Sequence, residues 1–118
     1  MNKRILCIED VEQNARLIQR IFYRYPDIIV DHARTLAEAR QLLAEPCDLI
    51  LLDVHLPDGN GFAFIPEARQ ICPNIPVVLI TADASTHLAE QAAALHVGYV
   101  TKPIENAARF RQLLLSKL

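Results

Sequence analysis

The sequence predicts an α/β domain: a doubly wound, five-stranded parallel sheet in the order 2-1-3-4-5, with five helices. Three observations carry that prediction. Short apolar runs alternate with amphipathic stretches five times over 118 residues. Three of the runs are almost continuously apolar, as strands covered on both faces must be. No internal repeat, low-complexity tract or linker interrupts them, so residues 1–118 read as one domain around one core, the normal arrangement at this length.

The elements follow in order. "RILCI" at 4–8 reads as strand β1. Residues 11–25 carry Val11, Ala15, Ile18, Phe22 and Tyr25 at steps of four and three, one apolar stripe, and read as helix α1. "IIVDHA" at 28–33 is β2, and 35–44 is α2, opening on Thr35 with Glu38 three positions on, a capping box. "DLILLD" at 48–53 is β3. Helix α3 lies near 62–71 and contains Pro66, which is tolerated only in a first turn, so the regular helix is expected to begin near Ala63 and not at Gly61. "PVVLIT" at 76–81 is β4, residues 86–95 with Leu88, Ala92 and Leu95 are α4, and "VGYVT" at 97–101 is β5. Residues 104–118, with Ile104, Ala107, Ala108, Leu114 and Leu118, are α5.

Composition excludes several classes. The chain is 52% hydrophobic and 22% charged, the balance of a globular domain, and its formal charge of −2 offers no electrostatic case for nucleic-acid binding. No apolar run reaches the length of a membrane span, and "MNKRILCIED" turns acidic too soon for a signal peptide, so a cytoplasmic location is expected. The three cysteines, Cys7, Cys47 and Cys72, lack CxxC spacing and read as reduced thiols. The terminal "SKL" continues the apolar spacing of α5 and is read as helix, not as a peroxisomal address.

In a sheet of this order the strand sequence reverses between β1 and β3, and sites form beyond the C-terminal ends of those strands. There the chain places Glu9 and Asp10 after β1, Asp53 at the end of β3, Thr81, Ala82 and Asp83 after β4, and Thr101, Lys102 and Pro103 after β5. Singly, Asp10 reads as a cap of α1, Thr81 as an ordinary strand residue and Lys102 as a solvated lysine. Together they make a rim of carboxylates, one hydroxyl and one ammonium. Crowded carboxylates repel, and one would be driven protonated unless cations were supplied. Magnesium is the natural counter-charge, being hard, octahedral and oxygen-seeking. Asp53 then stays ionised and can attack phosphorus, while Lys102 and Thr81 take peripheral oxygens of the transferred group and the small Ala82 leaves room for it.

The segments "CIED" (7–10), "LILLDVHLPDGNG" (49–61), "VVLITADAS" (77–85) and "GYVTKPI" (98–104) resemble the four signature segments of response-regulator receiver domains of two-component signalling, the CheY-like proteins, in the family's order and over essentially the whole chain. The resemblance implies the flavodoxin-like fold and a signalling switch, not an enzyme, beyond catalysis of its own phosphorylation and dephosphorylation. It assigns Asp53 as phosphoacceptor, and Glu9 and Asp10 as the acidic pair around Mg2+ or Mn2+. His55 would give its backbone carbonyl to the metal. Thr81 would be the switch hydroxyl, Lys102 the phosphoryl-pairing lysine and Tyr99 the aromatic that turns inward. His55 and Asp83 would tune phosphoryl lifetime, and the bond before Pro103 is expected to be cis. The implied partners are a sensor histidine kinase or histidine phosphotransfer protein, and an effector domain or second copy at the face of α4, β5 and α5, which is expected neither to bind nucleic acid directly nor to meet a membrane. Gly98 in "LHVGYVTKP" departs from the family's usual pattern, and the loop before β5 is expected to differ slightly.

Other classes fit less well. A phosphohydrolase using an aspartate after a parallel strand generally needs a second acid two residues on, and His55 stands there. A flavin or dinucleotide module would be repelled by "EDVEQN", which is acidic and lacks glycine. A degenerate receiver that only binds partners is opposed by the intact Asp53, Thr81 and Lys102. Met1 directly before β1 favours an N-terminal receiver over one taken from the end of a hybrid kinase.

Overall fold

The computed structural model describes residues 2–82 and 85–118. The expected parallel sheet is present: β1 (Lys3–Ile8), β2 (Ile28–Ala33), β3 (Leu49–Asp53), β4 (Val77–Thr81) and β5 (Gly98–Thr101) pair in the order β2-β1-β3-β4-β5. In register, Ile5 lies beside Val30 and Leu49, Ile50 beside Val77, and Leu79 beside Tyr99. The central strands β3 and β4 are buried at every position, which is why their sequence shows no polar alternation.

The period-two geometry of the strands divides the core into two layers. Leu6, Ile8, Ile50, Leu52, Val77 and Leu79 point to one face, where α2 (Leu36–Leu42), α3 (Gly61–Ile71) and α4 (Thr86–Ala94) cover them. Ile5, Cys7, Leu49, Leu51, Val78 and Ile80 point to the other, under α1 (Glu12–Ile21) and α5 (Ala107–Lys117).

Helix limits depart from the sequence expectations for identifiable reasons. Helix α1 is shorter than 11–25. Val11 is its N-cap and 45% exposed, so it is not part of the buried stripe. The chain tightens after Ile21, where the N–H groups of Phe22 and Tyr23 donate three residues back to Gln19 and Arg20, and Pro26 disfavours helical geometry at Tyr25. Helix α3 begins at Gly61, not Ala63. Asn60 Oδ1 accepts the Phe62 N–H at 2.8 Å and starts the helix early. Pro66 is therefore in the interior and not in the first turn; the buried face of Phe64, Ile65 and Ala68 holds the helix through a missing backbone donor. Helix α5 begins at Ala107, not at 104, because Asn106 caps it by accepting the Arg109 N–H at 3.0 Å. Ile104 still packs on the core, from the preceding loop.

At α2, Thr35 Oγ1 accepts the Glu38 N–H at 3.1 Å as expected, but the Glu38 carboxylate accepts from Arg34 N, not from Thr35 N. Only half of the expected capping box forms. The remaining donors at this end are taken from another part of the chain. After β3, residues His55–Leu56 and Gly59–Asn60 form a small antiparallel hairpin, and Asp58 at its tip accepts from Leu36 N at 2.9 Å and Ala37 N at 3.1 Å. The hairpin, which periodicity did not announce, thereby ties the segment after β3 to the start of α2.

Candidate functional site

Strand parity decides which side chains meet. Cys7, Leu51, Ile80 and Val100 all face α1 and α5. Two residues further along β1, β3 and β5 stand Glu9, Asp53 and Lys102, which fall on that same side of the sheet. Thr81 continues instead the row of Val77 and Leu79 on the opposite side; it is fully buried, and its carbonyl accepts from Lys102 N at 2.7 Å.

The Lys102 ammonium lies 2.7 Å from Glu9 Oε2 and 3.0 Å from Asp53 Oδ2, bridging the ends of β1 and β3. Glu9 is buried at 1% exposure and Asp53 at 6%. The second oxygen of each is held by the chain just beyond it: Glu9 Oε1 accepts from Val11 N and Asp53 Oδ1 from His55 N, both at 3.1 Å. The Glu9 backbone is fixed as well, donating to Ala33 O at 2.9 Å, while its carbonyl lies 2.6 Å from His32 Nε2 on β2.

Burial pushes the Glu9 carboxyl up, and the nearby Asp53 charge adds to this, against the opposing pull of Lys102 and the Val11 N–H. Burial presses Lys102 downward, yet the two carboxylates together outweigh it and hold the ammonium above its ordinary value. Beneath them, burial pushes the Cys7 thiol up to about 12, with the charges of Glu9 and Asp53 contributing. Cys7 is a packing residue of the core, 1% exposed. All three cysteines are free, as their spacing predicted.

Carboxylate oxygens of Glu9, Asp10 and Asp53 lie within 4.8 Å of one another. Asp10 is exposed and does not cap α1, whose N-cap is Val11 without a side-chain acceptor, so the simple capping reading of Asp10 does not hold. Glu9 Oε2 is buried and faces the Lys102 ammonium at 2.7 Å. An all-oxygen, partly open cluster of three carboxylates offset by a single ammonium fits a hard divalent cation such as Mg2+ or Mn2+.

The other expected site residues are placed as follows. His55 is exposed and sits in the hairpin beside Asn60. Tyr99 is 40% exposed and outside the acidic cluster. The Lys102–Pro103 bond is cis. Asp83 lies outside the described residues. Sequence reasoning overlooked Gly61. A Cβ there would lie 2.4 Å from the Asp53 carbonyl oxygen, so only glycine lets α3 start against the end of β3. It overlooked Asp58 and His32 too; the run "PDGNG" signalled a turn but not the helix to which that turn is fastened.

The family model described as response regulator receiver domain matches residues 5–114, and the chain belongs to that family. Response regulator protein PilR of Pseudomonas aeruginosa is 37% identical over 120 residues, covering 100% of this chain and 27% of PilR. Transcriptional regulatory protein CitT of Bacillus subtilis is 36% identical over 114 residues, covering 94% of this chain and 50% of CitT. The chain thus spans between about a quarter and a half of the length of these curated relatives. Among solved structures, the Mn2+-bound form of response regulator Rcp1 superposes with a TM-score of 0.77 at 29% identity, covering 94% of this chain and 88% of that one.

Proposed function

We propose that this receiver domain accepts a phosphoryl group on Asp53 from the phosphohistidine of a sensor kinase or phosphotransfer protein. The observation that supports it most is the Lys102 ammonium shared between Glu9 at 2.7 Å and Asp53 at 3.0 Å, inside a cluster of three carboxylates. An Asp53 oxygen bonds to phosphorus as the donor's P–N bond breaks. The electron pair returns to the imidazole, which takes up a proton. The position of Asp53 on a buried strand end restricts its approach to the donor.

Glu9, Asp10 and Asp53, with the backbone carbonyl of His55, would hold Mg2+ or Mn2+; Rcp1 holds Mn2+ in its solved form. When bound, such an ion neutralises charge on the phosphoryl oxygens. Lys102, now on Asp53 Oδ2, would shift its pairing to a phosphoryl oxygen, and the Thr81 hydroxyl would take another. Tyr99 would exchange its exposed position for an inward one, altering the α4–β5–α5 face seen by an effector domain or second copy. In this reading the output lies outside the domain, in a cytoplasmic regulator of transcription or another response. The domain's own catalysis is limited to its phosphorylation and hydrolysis, whose lifetime His55 and Asp83 would tune. Incubation with acetyl phosphate and a divalent ion should give a hydroxylamine-sensitive acyl phosphate, absent in Asp53→Asn. Equal labelling of Asp53→Asn overturns the assignment.

A further inference from the structure

Between α1 and α5 the chain segregates charge of the opposite sign to that of the acidic rim. A groove of about 590 Å³ runs between α1 and α5, with Leu17 and Ile21 on its floor. Arg20, Arg24 and Arg111 line it, and among the described residues none of the three forms an ion pair. Arg16 and Arg34, by contrast, share Glu12. In a chain of net charge −2, three uncompensated guanidiniums in one groove are a local excess that its own acidic groups leave standing.

Two tyrosines complete the groove. Tyr23 is 83% exposed, an orientation that leaves most of an aromatic ring in water. Tyr25 is half-buried, held edge-on against Phe22 with centroids 6.0 Å apart, and carries the Arg111 guanidinium 5.7 Å above its ring. That cation–π contact fixes Arg111 without neutralising it. Tyrosine and arginine around an apolar floor are the residue types that dominate protein-recognition hot spots.

We propose that the groove between α1 and α5 docks an acidic segment of a partner protein bearing one apolar anchor residue. Its carboxylates would pair with Arg20, Arg24 and Arg111, and its anchor would lie on Leu17 and Ile21 beneath Tyr23. Charge complementarity argues for this occupant. In a two-fold contact with a second copy, the same three arginines would face themselves across the axis and repel. Single-stranded nucleic acid would use the arginines and rings but has no use for an aliphatic floor. The proposal is independent of phosphoryl chemistry at Asp53 and goes beyond it.

The test uses the whole chain and three fluorescent probes: a peptide of glutamates around one leucine, an oligoglutamate of equal charge, and oligothymidylate. The leucine-bearing peptide should bind at least about tenfold more tightly than oligoglutamate, since it alone has an apolar side chain to bury on Leu17 and Ile21. It should perturb the NMR signals of Tyr23 and Tyr25 and weaken as salt rises. Arg20→Ala with Arg24→Ala should reduce binding at least about tenfold while acetyl phosphate labelling of Asp53 is unchanged. Equal binding of the two peptides, preference for oligothymidylate, or no binding of the leucine-bearing peptide overturns the proposal.

Discussion

Gly61 and Asp53 are in backbone contact: a Cβ on residue 61 would come within 2.4 Å of the Asp53 carbonyl oxygen and 3.1 Å of Val54 Cα. Gly61 N also donates to Val54 O at 2.8 Å. The start of α3 is thus pressed against the strand end that carries the proposed acceptor. At an open site in a helix, Gly→Ala stabilises by about 0.5–1 kcal/mol. Here the nearest atom is a backbone oxygen, and Gly61→Ala should instead destabilise by about 1–3 kcal/mol in urea unfolding. It should also slow acetyl phosphate labelling, because Asp53 must move. A stabilised Gly61→Ala variant would show that the contact is easily relieved.

Removing the ammonium tests the charge balance. Lys102→Met leaves the buried Glu9 and Asp53 facing each other, a loss of up to about 3–5 kcal/mol, limited by protonation of Glu9. In chelator at pH 7 its denaturation midpoint should fall. The same variant should bind Mg2+ more tightly than the parent, because a competing cation is gone. Calorimetric titration measures this, and unchanged or weaker affinity would argue against a metal at this cluster.

The raised Glu9 pKa has a definite sign in stability. A carboxyl whose folded pKa lies above its unfolded value of 4.5 contributes stability below that value, and loses the contribution as pH rises through the folded pKa. Ionised Glu9 thus costs the metal-free protein stability at neutral pH. Glu9→Gln in chelator should melt higher than the parent at pH 7, with the difference closing as pH falls. Added Mg2+ should reverse the order, stabilising only the parent. Melting curves across pH, with and without the ion, check both halves.

Asp58 reaches from the hairpin to the first turn of α2. The Leu36 and Ala37 N–H groups hold its carboxylate below its ordinary value, against a smaller effect of burial. Its folded pKa lies below the unfolded 3.8, so the stabilisation is present above that value and is lost as pH falls through the folded pKa. Asp58→Ala should speed hydrogen exchange at Leu36 and Ala37 selectively at neutral pH. Unaltered exchange at those two amides would show that the contact does not hold in solution.

The fold was legible because its strands are short and their neighbours amphipathic. Leu49–Asp53 and Val77–Thr81 admit no polar face, and a strand with none must lie inside a parallel sheet. Because parallel strands end on one edge, their places at strand ends bring Glu9, Asp53 and Lys102 together as neighbours. Helix ends were less legible. They depend on which side chain reaches an unpaired N–H: Asn60 at α3, Asn106 at α5, and at α2 a residue 22 positions away.

By itself, then, the sequence determined the alternation of elements, the sheet order and the set of charged residues on its rim, since these rest on local periodicity and chain connectivity. Tertiary structure alone decided that Lys102 bridges Glu9 and Asp53, that Asp10 is left uncapping beside them, that Gly61 must be small, and that three arginines share a groove. Those are distances between segments remote in the chain, and they exist only once both layers have packed against the sheet.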